Sequence, residues 1–284
     1  MALRAHLALA AAILLGPGLL APGPLGAGLC GTGPLGGGGA AAAAAPVGRS
    51  VAGPAGGFGS GPADRFGDPA DRIFGGRDAE SGPWAAALYW AGVEKIMCSG
   101  SVVAAQWVMT AAHCVPGMEK PGELPITMRI GHVEAARGEA IVVERIVLPP
   151  LDQHKRPRWD IVLLRLSRPI TAPVPVRLAA QDPPHGADDE IFGWGRACAG
   201  DCGPSPVLRT ATVRVAADTA FTDHYGGPAV GSTRGTGYAR PGDSGGPQFH
   251  AGEQVGVASR AGTGVQMYAS VARHLAWIRE NVGP

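Results

Sequence analysis

Charge is scarce in this chain. Acidic and basic residues make up 17% of its 284 residues and nearly cancel, leaving a formal net charge of +1. That balance argues against nucleic acid or an anionic membrane surface as the main partner. Long unbroken apolar runs are missing as well. Leu7 to Leu20 comes nearest, but Gly16-Pro17 and Pro22-Gly23-Pro24 interrupt it before the roughly 20 residues that cross a bilayer. With Arg4 and His6 ahead of it, residues 1–28 read as an export signal in preference to a membrane anchor, which leaves no membrane association after processing. Between 29 and 72 it is large apolar side chains that are missing. Gly37-Gly38-Gly39-Ala40 and the alanines up to Ala45 cannot bury a core, so this stretch reads as a disordered pro-segment.

Cysteine is sparse, at five residues. Cys198 and Cys202 have no second thiol or histidine pair at ligand spacing, so a metal site is disfavoured and no metal or organic cofactor is expected. Cys98, Cys114, Cys198 and Cys202 form an even set that fits two disulfides in an oxidising compartment, with Cys30 left over. Together with the export signal, this places the mature protein outside the cell.

The composition changes abruptly at Arg72-Ile73-Phe74-Gly75-Gly76. Beyond it come short apolar runs such as Ser101-Val102-Val103, Ala140-Ile141-Val142-Val143, Ile161-Val162-Leu163-Leu164 and Gln254-Val255-Gly256-Val257, with turn signals between them. Such spacing predicts an all-β barrel or sandwich. The length gives room for one large or two small barrels. From Val271 to Asn281 the period changes: Val271, Leu275 and Ile278 share one side, which predicts a C-terminal helix over about 270–281.

Three segments carry chemistry: Thr110-Ala111-Ala112-His113-Cys114, Trp159-Asp160-Ile161-Val162 and Gly242-Asp243-Ser244-Gly245-Gly246-Pro247. A serine hydroxyl is a weak nucleophile until a histidine takes its proton, and the histidine needs a carboxylate to fix its tautomer and stabilise the imidazolium. Glycines around Ser244 let the backbone turn tightly and aim amide N–H groups at a developing oxyanion. Any one of these segments alone has an ordinary structural explanation. Their joint occurrence, in the order His, Asp, Ser, carries the catalytic reading.

These segments resemble the signatures of the chymotrypsin/trypsin serine protease family, over about Ile73 to the C-terminus. The short loop Cys198-Ala-Gly-Asp-Cys202 and the Ala/Gly/Arg-rich composition resemble secreted actinobacterial members in particular. The resemblance implies two six-stranded antiparallel β-barrels, the first over about 73–178 and the second over about 179–268, with the active site in the cleft between them. It implies that Ser244 attacks the scissile carbonyl, His113 shuttles the proton, Asp160 orients His113, and the backbone N–H groups of Gly242 and Ser244 receive the oxyanion. Disulfides Cys98–Cys114 and Cys198–Cys202 are expected, the first closing a loop of about 15 residues worth on the order of 3 kcal/mol. Cleavage after Arg72 would free an α-ammonium at Ile73 to pair with Asp243, for which a turn-capping role is the alternative. Ser259 matches the serine that hydrogen-bonds the triad aspartate, or is an ordinary strand serine.

The pocket departs from the family. Tyr238 stands where trypsin-type members carry an aspartate at the floor, no cysteine frames the pocket, and Arg260-Ala261 replaces Trp-Gly after Ser259. Tyr238, Ser259 and Arg260 are thus the expected substrate contacts, and preference for Arg or Lys is unsupported. Arg240 and Arg260 either favour an acidic side chain or are solvated surface arginines. The expected function is a monomeric secreted serine endopeptidase acting on protein or peptide substrates after an activating protease has cut it. The alternatives are a non-catalytic binding module on the same scaffold and an esterase using the same triad.

Overall fold

In a computed structural model of the chain, the residues described are 73–283 except 116, 118–125, 197, 199–201 and 218–219. The expected export signal and pro-segment, with Cys30 and Arg72, lie outside the described residues.

The strands in chain order are β1 (Arg77–Asp78), β2 (Ala85–Trp90), β3 (Cys98–Ala104), β4 (Trp107–Thr110), β5 (Ile126–Ile130), β6 (Glu139–Val147) and β7 (Val162–Leu166). There follow β8 (Arg177–Leu178), β9 (Asp188–Gly193), β10 (Arg209–Val215), β11 (Ala229–Arg234), β12 (Pro247–His250), β13 (Glu253–Ala261) and β14 (Val265–Ser270), and then helix α1 (Val271–Val282). Strands β2-β3-β4-β7-β6-β5 close an antiparallel barrel, and β9-β10-β11-β14-β13-β12 close a second through the β10–β9 pairing. The fold expected from the sequence is the one found.

Local sequence explains these elements. In β5, Ile126, Met128 and Ile130 are buried while Thr127 and Arg129 face partly outward, the period-two pattern of a strand with one covered face. The run Ile161–Leu164 shows no alternation because it is buried throughout. Each such large side chain contributes about 1.5–3 kcal/mol by leaving water. In α1, Ser270 caps the first turn by accepting the Arg273 N–H at 3.2 Å, and Val271, His274, Leu275 and Ile278 form the buried face.

One expected boundary is corrected. Residues 73–78, expected in the first barrel, pack on the second. Arg77 and Asp78 pair with Thr210 and Arg209 of β10, and Ile73 is buried among Ile191, Ala211, Val213 and Tyr268. A β-branched apolar residue gains more from that core than from solvent.

Polar bonds join the barrels where the cleft must form. Ser101 Oγ on β3 donates to Gln254 Oε1 on β13 at 2.7 Å, and Trp194 N–H donates to Ser99 Oγ at 3.1 Å.

Candidate active site

His113 and Asp160 meet because of strand register. β4 and β7 run antiparallel with Thr110 opposite Val162, so residues just past the end of β4 lie beside residues just before β7. A single 3-10 turn, Ala112–Cys114, then carries His113, and the disulfide Cys98–Cys114 ties that turn to the start of β3. Asp160 is completely buried. Its Oδ1 accepts the His113 main-chain N–H at 2.9 Å, and its Oδ2 accepts His113 Nδ1–H at 2.7 Å. Ser259 Oγ donates to the same Oδ2 at 2.6 Å. Burial acts to raise the Asp160 carboxyl, but the hydrogen bonds and charge of His113, with the Ser259 hydroxyl, hold it below its ordinary value. His113 keeps about a quarter of its side chain exposed, open to the cleft.

Ser244 sits in a turn that only glycine permits. Gly242 has φ +102° and Gly245 φ +80°, both in the left-handed region. A Cβ on Gly245 would collide with Thr110 Oγ1 and Ser99 O, so the serine turn lies directly against the strand ends that carry His113. Ser99 holds the junction: its N–H donates to Ser244 O at 2.8 Å, and its hydroxyl donates to Gly242 O at 3.1 Å. Thr110 Oγ1 in turn donates to Ser99 O at 2.7 Å. The N–H groups of Gly242 and Ser244 donate to no other group among the described residues, leaving two adjacent donors free for an oxyanion. Ser244 is half-buried, and among the described residues no hydrogen bond joins its hydroxyl to His113. Bonds of this kind tighten when a substrate completes the site.

Asp243 points away from the cleft into the second barrel. Its carboxylate accepts Gly195 N–H at 2.7 Å and Arg240 N–H at 2.8 Å, and no cation pairs with it among the described residues. Burial pushes it up to about 6, against the opposing pull of those amides and the more distant Arg209. Gly193 and Gly195 are required here, since a Cβ on either would strike the Asp243 side chain. Nearby, Phe74 forms an antiparallel bridge with Tyr238 and packs on it with ring centroids 5.4 Å apart. The Arg234 and Arg240 guanidinium groups lie 5.4 and 5.7 Å from the Tyr238 ring.

Tyr238, expected as a substrate contact, packs on Phe74 instead and does not line the cleft beside Ser244. The aromatic residue in place of valine at position 74 offers the ring a partner, and Tyr238 turns to it. A cleft of about 280 Å³ beside Ser244 is lined instead by Ala239, Ala258, Ala261, Met267 and Tyr268, with Arg240 and Gln266 in its wall. Gln266 Oε1 accepts Ala239 N–H at 2.6 Å, while its buried Nε2 has no hydrogen-bond partner among the described residues. Ser259 and Arg260 border this cleft too. The Arg260 guanidinium, however, is held by Thr222, donating to its carbonyl at 2.9 Å and its hydroxyl at 3.1 Å. No carboxylate lines the cleft among the described residues.

Cys198 and Cys202 are also bridged. Ligand atoms of Cys98, His113 and Cys114 lie within 4.8 Å of one another, but both sulfurs are consumed in the disulfide and offer no thiolate to a metal. Sequence reasoning missed Ser99, Gln266 and Asp223, the last accepting the main-chain N–H of Asp160 at 2.8 Å. Only the Cys98-Ser99-Gly100-Ser101 segment carried a signal, because polar and small residues stand there inside an otherwise apolar strand.

Similar proteins agree with this architecture. Coagulation factor XII of Sus scrofa is 32% identical over 251 residues, covering 74% of this chain and 40% of that protein. Transmembrane protease serine 7 of Mus musculus is 31% identical over 191 residues, covering 62% of this chain and 23% of the other. The chain therefore spans less than half the length of either. Hypodermin-B of Hypoderma lineatum is 30% identical over 229 residues, covering 74% of this chain and 87% of that one. Among solved structures, mouse neuropsin, a serine protease, superposes with a TM-score of 0.59 at 26% identity, covering 72% of this chain and 97% of its own. A scabies mite inactivated protease paralogue gives 0.61 at 22% identity, over 72% and 95% of the two chains, and shows the fold alone. These relatives are animal proteins, so the likeness to actinobacterial members finds no support among them. Residues 73–278 match the family model described as Trypsin, and on that match the chain belongs to the trypsin family.

Proposed function

We propose that this chain is a secreted serine endopeptidase that works through Ser244, His113 and Asp160 and is switched on by cleavage of Arg72–Ile73. The observation that carries the reading is the buried Asp160 carboxylate fixed on His113 Nδ1, beside a serine turn whose Gly242 and Ser244 amides have no acceptor among the described residues. In this mechanism Ser244 Oγ attacks the scissile carbonyl carbon while its proton passes to His113 Nε2. Asp160 stabilises the imidazolium so formed. The carbonyl oxygen, now negative, is received by the Gly242 and Ser244 N–H groups. Collapse breaks the C–N bond, His113 gives its proton to the leaving amine, and an acyl-serine remains. Water, deprotonated by His113, then hydrolyses the acyl-enzyme and restores the serine.

Activation follows from Asp243. An unpaired buried carboxylate costs several kcal/mol, so a cation delivered by cleavage orders the turn that carries the oxyanion amides. Ile73 already occupies the second-barrel core, with φ +32°, an unusual value for a β-branched residue joined to a preceding segment. No carboxylate lines the cleft among the described residues to hold Arg or Lys, and beside its apolar wall stand Gln266, Ser259, Arg240 and Arg260. Protein substrates and an activating protease are the expected partners, with the working form monomeric and outside the cell. No helix among the described residues is long and apolar enough to cross a membrane.

The test is cleavage of a peptide library by chain beginning at Ile73, beside its Ser244→Ala variant and an uncut Arg72→Gln chain. Amide hydrolysis by the first alone is expected. Equal hydrolysis by Ser244→Ala removes the serine from the mechanism, and full activity of the uncut chain removes the activation step. Hydrolysis of small esters but no peptide would make the protein an esterase, and no hydrolysis at all a binding module.

A further inference from the structure

A second carboxylate stands behind Asp160. Asp223 lies between β10 and β11 of the second barrel and is only 2% exposed. Its Oδ2 accepts the main-chain N–H of Asp160 at 2.8 Å, across the joint between the barrels. Its Oδ1 accepts the N–H groups of Tyr225 and Gly227, both at 2.9 Å. The neighbouring His224 donates its main-chain N–H to Ser259 Oγ at 2.9 Å, and that hydroxyl is the one that donates to Asp160 Oδ2. One turn therefore grips Asp160 twice, by its main chain through Asp223 and by its carboxylate through Ser259.

The turn itself is closely held. Asp223 N–H donates to Gly227 O at 2.8 Å, and Arg260 pins Thr222. A Cβ on Gly227 would meet Trp159 Cβ at 2.5 Å and Asp223 Oδ2 at 2.7 Å, so the turn rests on the residue preceding Asp160 with no room to spare. A residue that only closed its own turn could be asparagine, whose single carbonyl oxygen serves the Tyr225 and Gly227 amides. Accepting the Asp160 N–H as well needs an acceptor on the second terminal atom, and only a carboxylate supplies it. Burying another negative charge beside Asp160 is otherwise unfavourable, because like charges at short range repel.

We propose that Asp223 is a positioning residue of the active centre: it fixes the main chain at Asp160, and so the placement of His113 over the serine turn. The proposal rests on the serine-protease reading above. The side chains that face this carboxylate are those of Asp160 and Tyr225, with His113, His224 and Arg260 further toward the cleft and His274 of α1 stacked on Trp159.

The test compares Ile73-starting wild type with Asp223→Asn and Gly227→Ala, each rate expressed per serine titrated with a fluorophosphonate. Asp223→Asn is expected to lower kcat about 10- to 100-fold with KM within a factor of about two, since misplacing a catalytic group acts on the chemical step. It should also move the rising limb of the pH profile to lower pH, because removing a negative charge disfavours the imidazolium. Gly227→Ala shifts the turn but keeps the charge, so kcat falls and the limb stays. A merely structural Asp223 would reduce yield and thermal midpoint but leave kcat per titrated serine and the limb unchanged, and that result overturns the proposal. Should Asp223→Asn not fold, wild-type kcat in Gly227→Ala overturns it equally. A wild type that takes up no fluorophosphonate would instead defeat the serine-protease reading.

Discussion

Asp160 and Asp243 are both sealed from solvent, yet the chain surrounds them differently. Around Asp160 stand an imidazole, a hydroxyl and a main-chain amide, and the carboxyl is held below its ordinary value. Around Asp243 stand two main-chain amides and no paired cation among the described residues, and burial lifts it to about 6. The His113–Asp160 pair is therefore formed in the uncut chain, whereas Asp243 meets no paired cation among the described residues. On the proposal above, catalysis is assembled in two instalments, and only the second depends on proteolysis.

The predictions probe that contrast. The largest effect is expected at Ser244, where alanine removes the nucleophile common to both halves. Its kcat/KM should fall roughly 10⁴- to 10⁶-fold while the thermal midpoint stays within a few degrees. Asp160→Asn is next, at roughly 10⁴-fold in the cut enzyme, because the imidazole loses its orienting acceptor. Asp243→Asn should divide the two forms. In the cut chain it costs about 10²- to 10³-fold in kcat through the oxyanion amides. In the uncut chain it abolishes the change of stability with pH through about 6, because the titrating carboxyl has gone, while one of the Gly195 and Arg240 amides loses its acceptor. Urea titrations of both forms read the second effect directly.

A smaller effect follows from pH. The folded value of Asp243, about 6, exceeds its ordinary 3.8, so the native uncut chain holds this proton more tightly than the unfolded chain does. Its contribution to stability is present below about pH 4 and is lost as pH rises through about 6, in total on the order of 3 kcal/mol. Pairing with the Ile73 ammonium should abolish that loss in the cut form. His274 works in the opposite sense: burial pulls it down to about 4, so its contribution is lost as acid approaches that value. It is common to both forms and cancels in their difference. The smallest effect is expected for Ser259→Ala, about 10-fold in kcat/KM, as Asp160 keeps its other two donors.

Much of this arrangement was legible in the sequence because it is local. Alternation in Ile126–Ile130, the helical spacing of Val271, Leu275 and Ile278, and the three motif segments each depend on near neighbours. What escaped depends on contacts between distant segments. Tyr238 left the cleft because Phe74, more than 160 positions away, gave its ring an apolar partner. Residues 73–78 joined the second barrel because the pocket for Ile73 is built by β9, β10 and β14. Asp223 carries no motif, and its role exists only once the turn before β11 folds against Trp159 and Asp160. Ser99 binds the serine turn at two atoms, contacts that exist only once β3 meets the segment before β12.

The central claim is most directly tested by mapping the covalent adduct of a fluorophosphonate on the Ile73-starting chain by mass spectrometry. A single adduct on Ser244, formed at a rate that collapses in His113→Ala, is the predicted result. A folded chain that takes up no label, or one labelled at Ser244 just as fast without the imidazole, would contradict it.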